Sequence, residues 1–276
     1  MLTRRDACRA IDRRMRKQLG PIDVHGQKST VIFAPHPDDE TLGCGGIACK
    51  LIAAGARVHF VFVTDGATSH ANHVGAQQLR ELRQAEAIEA VRRLGGAPED
   101  VTFLRFPDSG AHERIPDIAA AIAPLLADWR PDSIFVTHAS EPTSDHTAVN
   151  AAVRTAVRSI GRPVTVYEYP IWYWYHWPWV RMTGDLPRLW RLTAKQTWRT
   201  AAGLRTFSAL NSQIYVGDVL DIKRSALDAH ATQVRRPRGH PSWPILEDLS
   251  GGDFIGRLLT DYEVFRRCEF DGQRYN

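Results

Sequence analysis

"VIFAPHPDDETLGCGG", Val31 to Gly46, is an apolar run that passes at once into a histidine, a proline and three consecutive acids. Neighbouring carboxylates repel one another, and burying them is costly unless a cation or hydrogen bonds compensate. The stretch therefore predicts a buried strand whose end gathers positive charge. The plain alternative is a strand-end cap, with one Asp capping the next helix and the other acids solvated.

Working outward, apolar β-branched runs recur at 30–34, 57–64, 101–106, 132–137 and 163–169. Helix-like stretches separate them at 41–55, 77–95, 115–129 and 145–160, the second with Leu79, Leu82, Ala85, Ile88, Val91 and Leu94 at near-helical spacing. Strands alternating with helices predict an α/β fold: a Rossmann-like, mostly parallel sheet sandwiched by helices. Ligands of such sheets bind at the carboxyl ends of strands, where the His-Pro-Asp-Asp-Glu stretch falls. Residues 1–29 read as a basic helical extension and 30–276 as one domain. Its core is 30–170. Residues 170–276 are an aromatic-rich elaboration with further strands and a late helix. Six of the eight tryptophans lie between 172 and 198.

Composition narrows the function. The 276 residues carry a net charge of +4, and no nucleic-acid module is recognisable. The charged N-terminus lacks the apolar core of a signal peptide, and no stretch reaches the ~20 apolar residues that span a bilayer. The expectation is a soluble cytoplasmic protein, at most peripheral to a membrane. Cys8, Cys44, Cys49 and Cys268 form no CxxC pair and read as reduced thiols, small buried residues rather than zinc ligands.

His36 and Asp39 stand three apart and converge if the chain turns helical after the strand. Imidazole nitrogen and carboxylate oxygen suit zinc. Asp38, between them, points elsewhere and reaches a water on the ion. Glu40 holds the loop at the helix start, and Gly43, Gly45 and Gly46 let the helix lie against the sheet. "EPTSDHTAVN" supplies His146 beside Asp145 at the next suitable strand end; three protein ligands leave a position open for water. Alone, His146 reads more often as a plain helix-start histidine.

"APHPDDETLGCGG", "FVTDG", "RQAEAIEAVRRLGG", "FPDSG" and "SDHTAV", in this order over residues 30–170, resemble the zinc-dependent N-acetylglucosaminyl deacetylase superfamily. It includes the de-N-acetylase of GPI-anchor synthesis (PIG-L), the LmbE-like proteins and the deacetylases of mycothiol and bacillithiol synthesis. The resemblance implies His36, Asp39 and His146 as metal ligands, Asp38 as general base, and Arg83 as a substrate contact; an Arg83–Glu86 ion pair on the helix surface is the competing reading. It implies Zn²⁺ or another divalent ion, and a glycan or lipid-linked sugar substrate. One departure stands out: the family usually has a histidine three residues before its last ligand, where this chain has Thr143. Threonine is no acid near neutral pH. Asp38 returning its proton, or His138, His176 or His240, would have to serve. Asp145 is placed to orient a neighbour. "WYWYHWPWVR" would line a sugar cleft, touch a membrane through Trp177 and Trp179, or pack in the core. Two rival functions follow: a non-catalytic sugar-binding relative, suggested by Thr143, and a nucleotide-using Rossmann enzyme, disfavoured because the GxGxxG loop is missing and acids there repel a pyrophosphate.

Overall fold

Both faces of the central predicted strands are apolar because both are covered. In the computed structural model, which describes residues 3–70, 72–181 and 187–276 (the side chains of 187–189 excepted), Val31 and Phe33 face one core while Ile32 and Ala34 face the other. The strands are β1 (Gly20–Pro21), β2 (Ser29–Ala34), β3 (Arg57–Thr64), β4 (Val101–Phe106), β5 (Ser133–Thr137), β6 (Pro163–Tyr169), β7 (Ser212–Tyr215) and β8 (Tyr262–Asp271). They form one sheet in the order β1-β7-β8-β6-β5-β2-β3-β4. Every pairing is parallel except those of β8 with β6 and β7. The mostly parallel α/β sandwich is as the alternation predicts.

The helices are α1 (Arg4–Arg16), α2 (Asp39–Ala53), α3 (Ala76–Arg93), α4 (Ile115–Trp129), α5 (Ser144–Arg158), α6 (Pro187–Arg199), α7 (Thr206–Ala209), α8 (Leu220–Ala229), α9 (Ala231–Val234) and α10 (Asp253–Leu258). Helices α4 and α5 cover one face through Ile118, Ile122, Leu126, Val149 and Val153. Helices α2, α3 and α8 cover the other, with Met15 of α1 in the same core. Arg4 donates to the carbonyls of Pro178 and Trp179 and pairs with Asp253, which fastens α1 to the C-terminal region.

Helix α2 sets the site, and glycine lets it approach. A Cβ on Gly43 would lie 2.2 Å from the Tyr169 ring, and one on Gly46 would lie 2.6 Å from Val216. The last strand reaches into this helix. Glu263 accepts from the backbone N–H of Gly46 and Ile47 at 2.7 and 2.9 Å. Lys223, fully buried, donates to Glu263 at 2.7 Å and to the Leu42 carbonyl at 2.9 Å. Leu42 and Gly46 are the two ends of one rung of the helical ladder, so a buried ion pair holds both ends. Among the described residues no helix is long and apolar enough to cross a membrane.

Candidate metal centre and cavity

The carboxyl ends of β2, β3, β4 and β5 open into a cavity of about 790 Å³. Its polar wall carries His36, Asp38 and Asp39 after β2, His70 after β3, Asp108 after β4, and Thr143, Asp145 and His146 after β5. The opposite wall is apolar, with Ile171, Trp172, Leu192, Ile245, Leu249 and Phe254.

Asp39 Oδ2 lies 3.2 Å from His36 Nδ1 and 3.3 Å from His146 Nε2. Bonds of about 2.0–2.1 Å in a tetrahedral zinc site separate neighbouring ligand atoms by roughly 3.3 Å. The three donors therefore fit a divalent ion. His36 belongs to a second cluster through its other nitrogen, 3.2 Å from Asp108 Oδ1 and 3.3 Å from Asp145 Oδ2. Those two carboxylates are already engaged: Asp145 accepts from Ser109 and Ala111 N–H, and Asp108 from the Thr68 N–H and hydroxyl. They suit an imidazole N–H better than a cation, so the Nδ1 side offers the better fit for an ion. An N–H held this way orients a ligating ring and raises its basicity. Neither cluster contains a cysteine.

Charge says the same. Burial opposes protonation of His36, but hydrogen bonds to Asp108, Asp145 and Asp39 outweigh it and raise its pKa well above the ordinary value. Burial likewise opposes the charge on His146, yet Asp39 and Glu141 raise it to about 9. Burial and then the charge of Asp39 push Asp38 up to about 7. Burial would also raise Asp39, but His146 and His36 hold it well below the carboxylate range. The pocket attracts positive charge, as protons or as an ion.

Asp38 is the residue before α2 and has φ 138°, a left-handed-side conformation that costs a non-glycine residue of order 1–3 kcal/mol. Glu40 accounts for how it is held. Its Oε2 accepts the Asp38 N–H at 2.9 Å, while its Oε1 meets Thr41 Oγ1 at 2.6 Å and His230 Nε2 at 2.7 Å. Gln233 donates to the Pro37 carbonyl. Glu40 thus lies beneath the loop and does not line the cavity.

Several expectations are corrected by placement. Arg83 is not paired with Glu86 on the helix surface. It is buried, donates to the Gly66 carbonyl at 2.8 Å and to Ser69 Oγ at 2.7 Å, and lines the cavity. Glu86 instead binds the N–H and hydroxyl of Thr232. None of the three histidines named as proton donors is among the residues that line the cavity. His138 turns toward the Ala209 carbonyl and the Tyr173 ring. His176 is sealed among Tyr173, Trp179 and Thr200, and burial lowers its pKa to about 4. His240 is exposed, edge-on to Trp243. Trp179 is buried against Arg257 and has no membrane-facing surface to offer. Most of the aromatic segment packs in the core, and of it Ile171 and Trp172 reach the cavity.

Three functional positions escaped the sequence reading. Asp108 faces His36. His70 lines the cavity with Nδ1 2.7 Å from Ser69 Oγ and Nε2 2.9 Å from the Pro244 carbonyl. Glu141 lies 3.3 Å from His146 Nδ1 and accepts the N–H groups of Ile171, Trp172 and Tyr173. Their signal was position alone: each follows the carboxyl end of a core strand.

A parallel α/β sheet with an imidazole–carboxylate cluster at its strand ends, beside an acid outside that cluster, has the parts of a metal-dependent hydrolase site. The GlcNAc-PI de-N-acetylase (PIG-L) family model matches residues 31–157. The 1D-myo-inositol 2-acetamido-2-deoxy-alpha-D-glucopyranoside deacetylase of Rhodococcus opacus is 30% identical, over 81% of this chain and 88% of the relative. Its namesake from Segniliparus rotundus is 31% identical, over 77% and 78%. The chain belongs to the PIG-L family. Among solved structures, the N,N'-diacetylchitobiose deacetylase of Pyrococcus horikoshii superposes with a TM-score of 0.59 at 19% identity, over 90% of this chain and 85% of that one, which shows the shared fold.

Proposed function

We propose that this protein hydrolyses the N-acetyl group of an N-acetylglucosamine-type conjugate, with Zn²⁺ held by His36, Asp39 and His146. The observation that carries the reading is Asp39 Oδ2 standing 3.2–3.3 Å from two imidazole nitrogens on the wall of a cavity that Asp38 also lines. The family and the deacetylase names of its relatives support it.

When bound, the ion supplies Lewis acidity to a water and to the amide carbonyl. Asp38, as carboxylate, takes a proton from the attacking water. Oxygen adds to the acetyl carbon, the C–N bond breaks, and nitrogen receives the proton, leaving acetate and a free amine. Asp38 is also the group that returns that proton, since Thr143 stands where an imidazole would, His70 has both ring nitrogens engaged by Ser69 and Pro244, and His138, His176 and His240 lie elsewhere. Arg83 and the Thr143 hydroxyl, which has no partner among the described residues, are polar groups of the cavity wall placed to meet the sugar. Trp172 and Leu192 offer an apolar face to a sugar ring or its aglycone.

The test measures free amine and acetate from N-acetylglucosaminyl-inositol and N,N'-diacetylchitobiose. Metal-loaded protein should release both, chelated protein neither. Metal-loaded protein that binds these conjugates without releasing amine would establish the alternative, a sugar-binding relative weakened by the loss of imidazole at 143.

A further inference from the structure

Helix α6 is built inside out. Beside Leu192, which packs inward, its buried groups are polar: Thr193 and Gln196, with Thr200 just after the helix, are each at most 3% exposed. Its outer face carries the large apolar groups, with Trp198 85% exposed and Trp190 47%, and Leu204 in the following turn is 66% exposed. A helix in a water-soluble fold normally does the reverse. The same surface is strongly cationic. From Leu186 to Gly217 the sequence contains no Asp or Glu but has Arg188, Arg191, Lys195, Arg199 and Arg205. Arg191, Lys195, Arg199 and Arg205 are exposed and have no carboxylate partner among the described residues. The patch is continuous with the aromatic turn, since the Trp177 N–H donates to Thr197 Oγ1 at 3.0 Å and Trp177 is itself 37% exposed.

Beneath this face lies a cavity of about 210 Å³, separate from the metal centre and lined by Ser140, Gln196, Arg199, Thr200, Arg205 and Ser208. Gln196, 1% exposed, has an Nε2 donor with no partner among the described residues. An unsatisfied N–H2 group on the wall of a cavity that two guanidinium side chains also line suits an acceptor of negative charge.

We propose that the outer face of α6 and the turn at Leu204 dock on an anionic lipid bilayer, with Trp198, Trp190 and Leu204 entering the interface and Arg199, Arg205 and Gln196 receiving a lipid headgroup phosphate. Tryptophan beside arginine and lysine on one face of a helix is the composition of an interfacial helix, which lies in the membrane surface without crossing it. Leu192 of the same helix lines the main cavity, so the docking helix is also part of that cavity's wall. The inference stands apart from the proposed hydrolysis.

The experiment is vesicle cosedimentation of the full chain, with phosphatidylcholine alone and with phosphatidylglycerol added. The protein should bind the anionic vesicles and weaken as salt rises. Replacing Trp198 and Leu204 together with Ala should weaken binding about tenfold or more. Arg199→Gln with Arg205→Gln should weaken it about thirtyfold, at ~1 kcal/mol for each cation near the surface. Both variants should melt as the parent does, because the side chains exchanged are exposed. No binding by the parent, equal binding to neutral vesicles, or unaltered binding by both variants would overturn the proposal. Stabilisation by inorganic phosphate without vesicle binding would do so too, by making the small cavity a site for free anions.

Discussion

The two walls of the large cavity are made by different kinds of chain. The polar wall comes from loops at the ends of β2, β3, β4 and β5, and its carboxylates are fixed by backbone N–H groups and by the His36 and His146 rings. The apolar wall comes from the C-terminal hundred residues, whose aromatic groups are held chiefly by packing. Under the proposed function the contrast separates chemistry from recognition: one wall would grip an ion and move a proton, the other would fit what surrounds the acetyl group. Fixing charged groups on the rigid sheet and leaving the shape of the substrate to an elaboration allows the second to vary without disturbing the first.

That division can be broken by experiment. The largest effects belong to the polar wall. His146→Ala should abolish stoichiometric metal binding, measured by metal analysis of purified protein. Asp38→Asn should keep the metal and lower kcat by about a thousandfold. Retained metal in the first variant, or retained turnover in the second, would misassign the roles.

Next comes Glu141, which touches both walls. Its carboxylate lies 3.3 Å from His146 and accepts three backbone N–H groups at the start of the aromatic segment. Glu141→Ala should weaken metal affinity by 10- to 100-fold. It should also destabilise the fold by about 3 kcal/mol or more, since three buried donors lose their acceptor. A loss of stability with metal affinity intact would show that the walls are energetically separate. Trp172→Ala is the converse probe: KM should rise about tenfold while metal affinity and kcat stay near the parent's.

The smallest effect tests the aromatic region alone. Burial holds the pKa of His176 at about 4, below the ~6.5 of an exposed imidazole. A depressed histidine favours the fold while neutral, so its contribution is complete above pH 6.5 and is lost as pH falls from there toward 4. Up to about 3 kcal/mol is at stake. His176→Gln should therefore show a shallower fall in melting temperature between pH 6.5 and 4. An unchanged slope would place the acid sensitivity elsewhere.

How much of this was legible in the sequence follows the same divide. The strands from 30 to 169 and their helices could be read because each is a local pattern, a continuous apolar run or a 3.6-residue period. His36, Asp39 and His146 could be read because strand-end position and residue type point to one chemistry. Glu141 could not, because nothing local says that an acid five residues before a ligand will turn to meet the N–H groups of residues 171–173. Arg83 with Glu86 was open for a similar reason: spacing on a helix offers an ion pair, and only the packing of Gly66 and Thr232 draws the two apart. In the tryptophan-rich segment, composition revealed a concentration of apolar area without its direction. The structure sends Trp179 inward and Trp172 to the cavity, and leaves Trp198 in solvent.

The grip of Glu263 and Lys223 on α2 gives distant parts of the chain a shared clock. The amide hydrogens of Gly46 and Ile47 are tied to a carboxylate more than two hundred residues away, so their exchange with deuterated water is governed by release of the final strand as well as by fraying of the helix. An ion held by Asp39, the first residue of that helix, would restrain the opening from the other end. Slower labelling at positions 46 and 47 on addition of metal would then report, from within a single helix, how firmly the closing segment of the chain is seated.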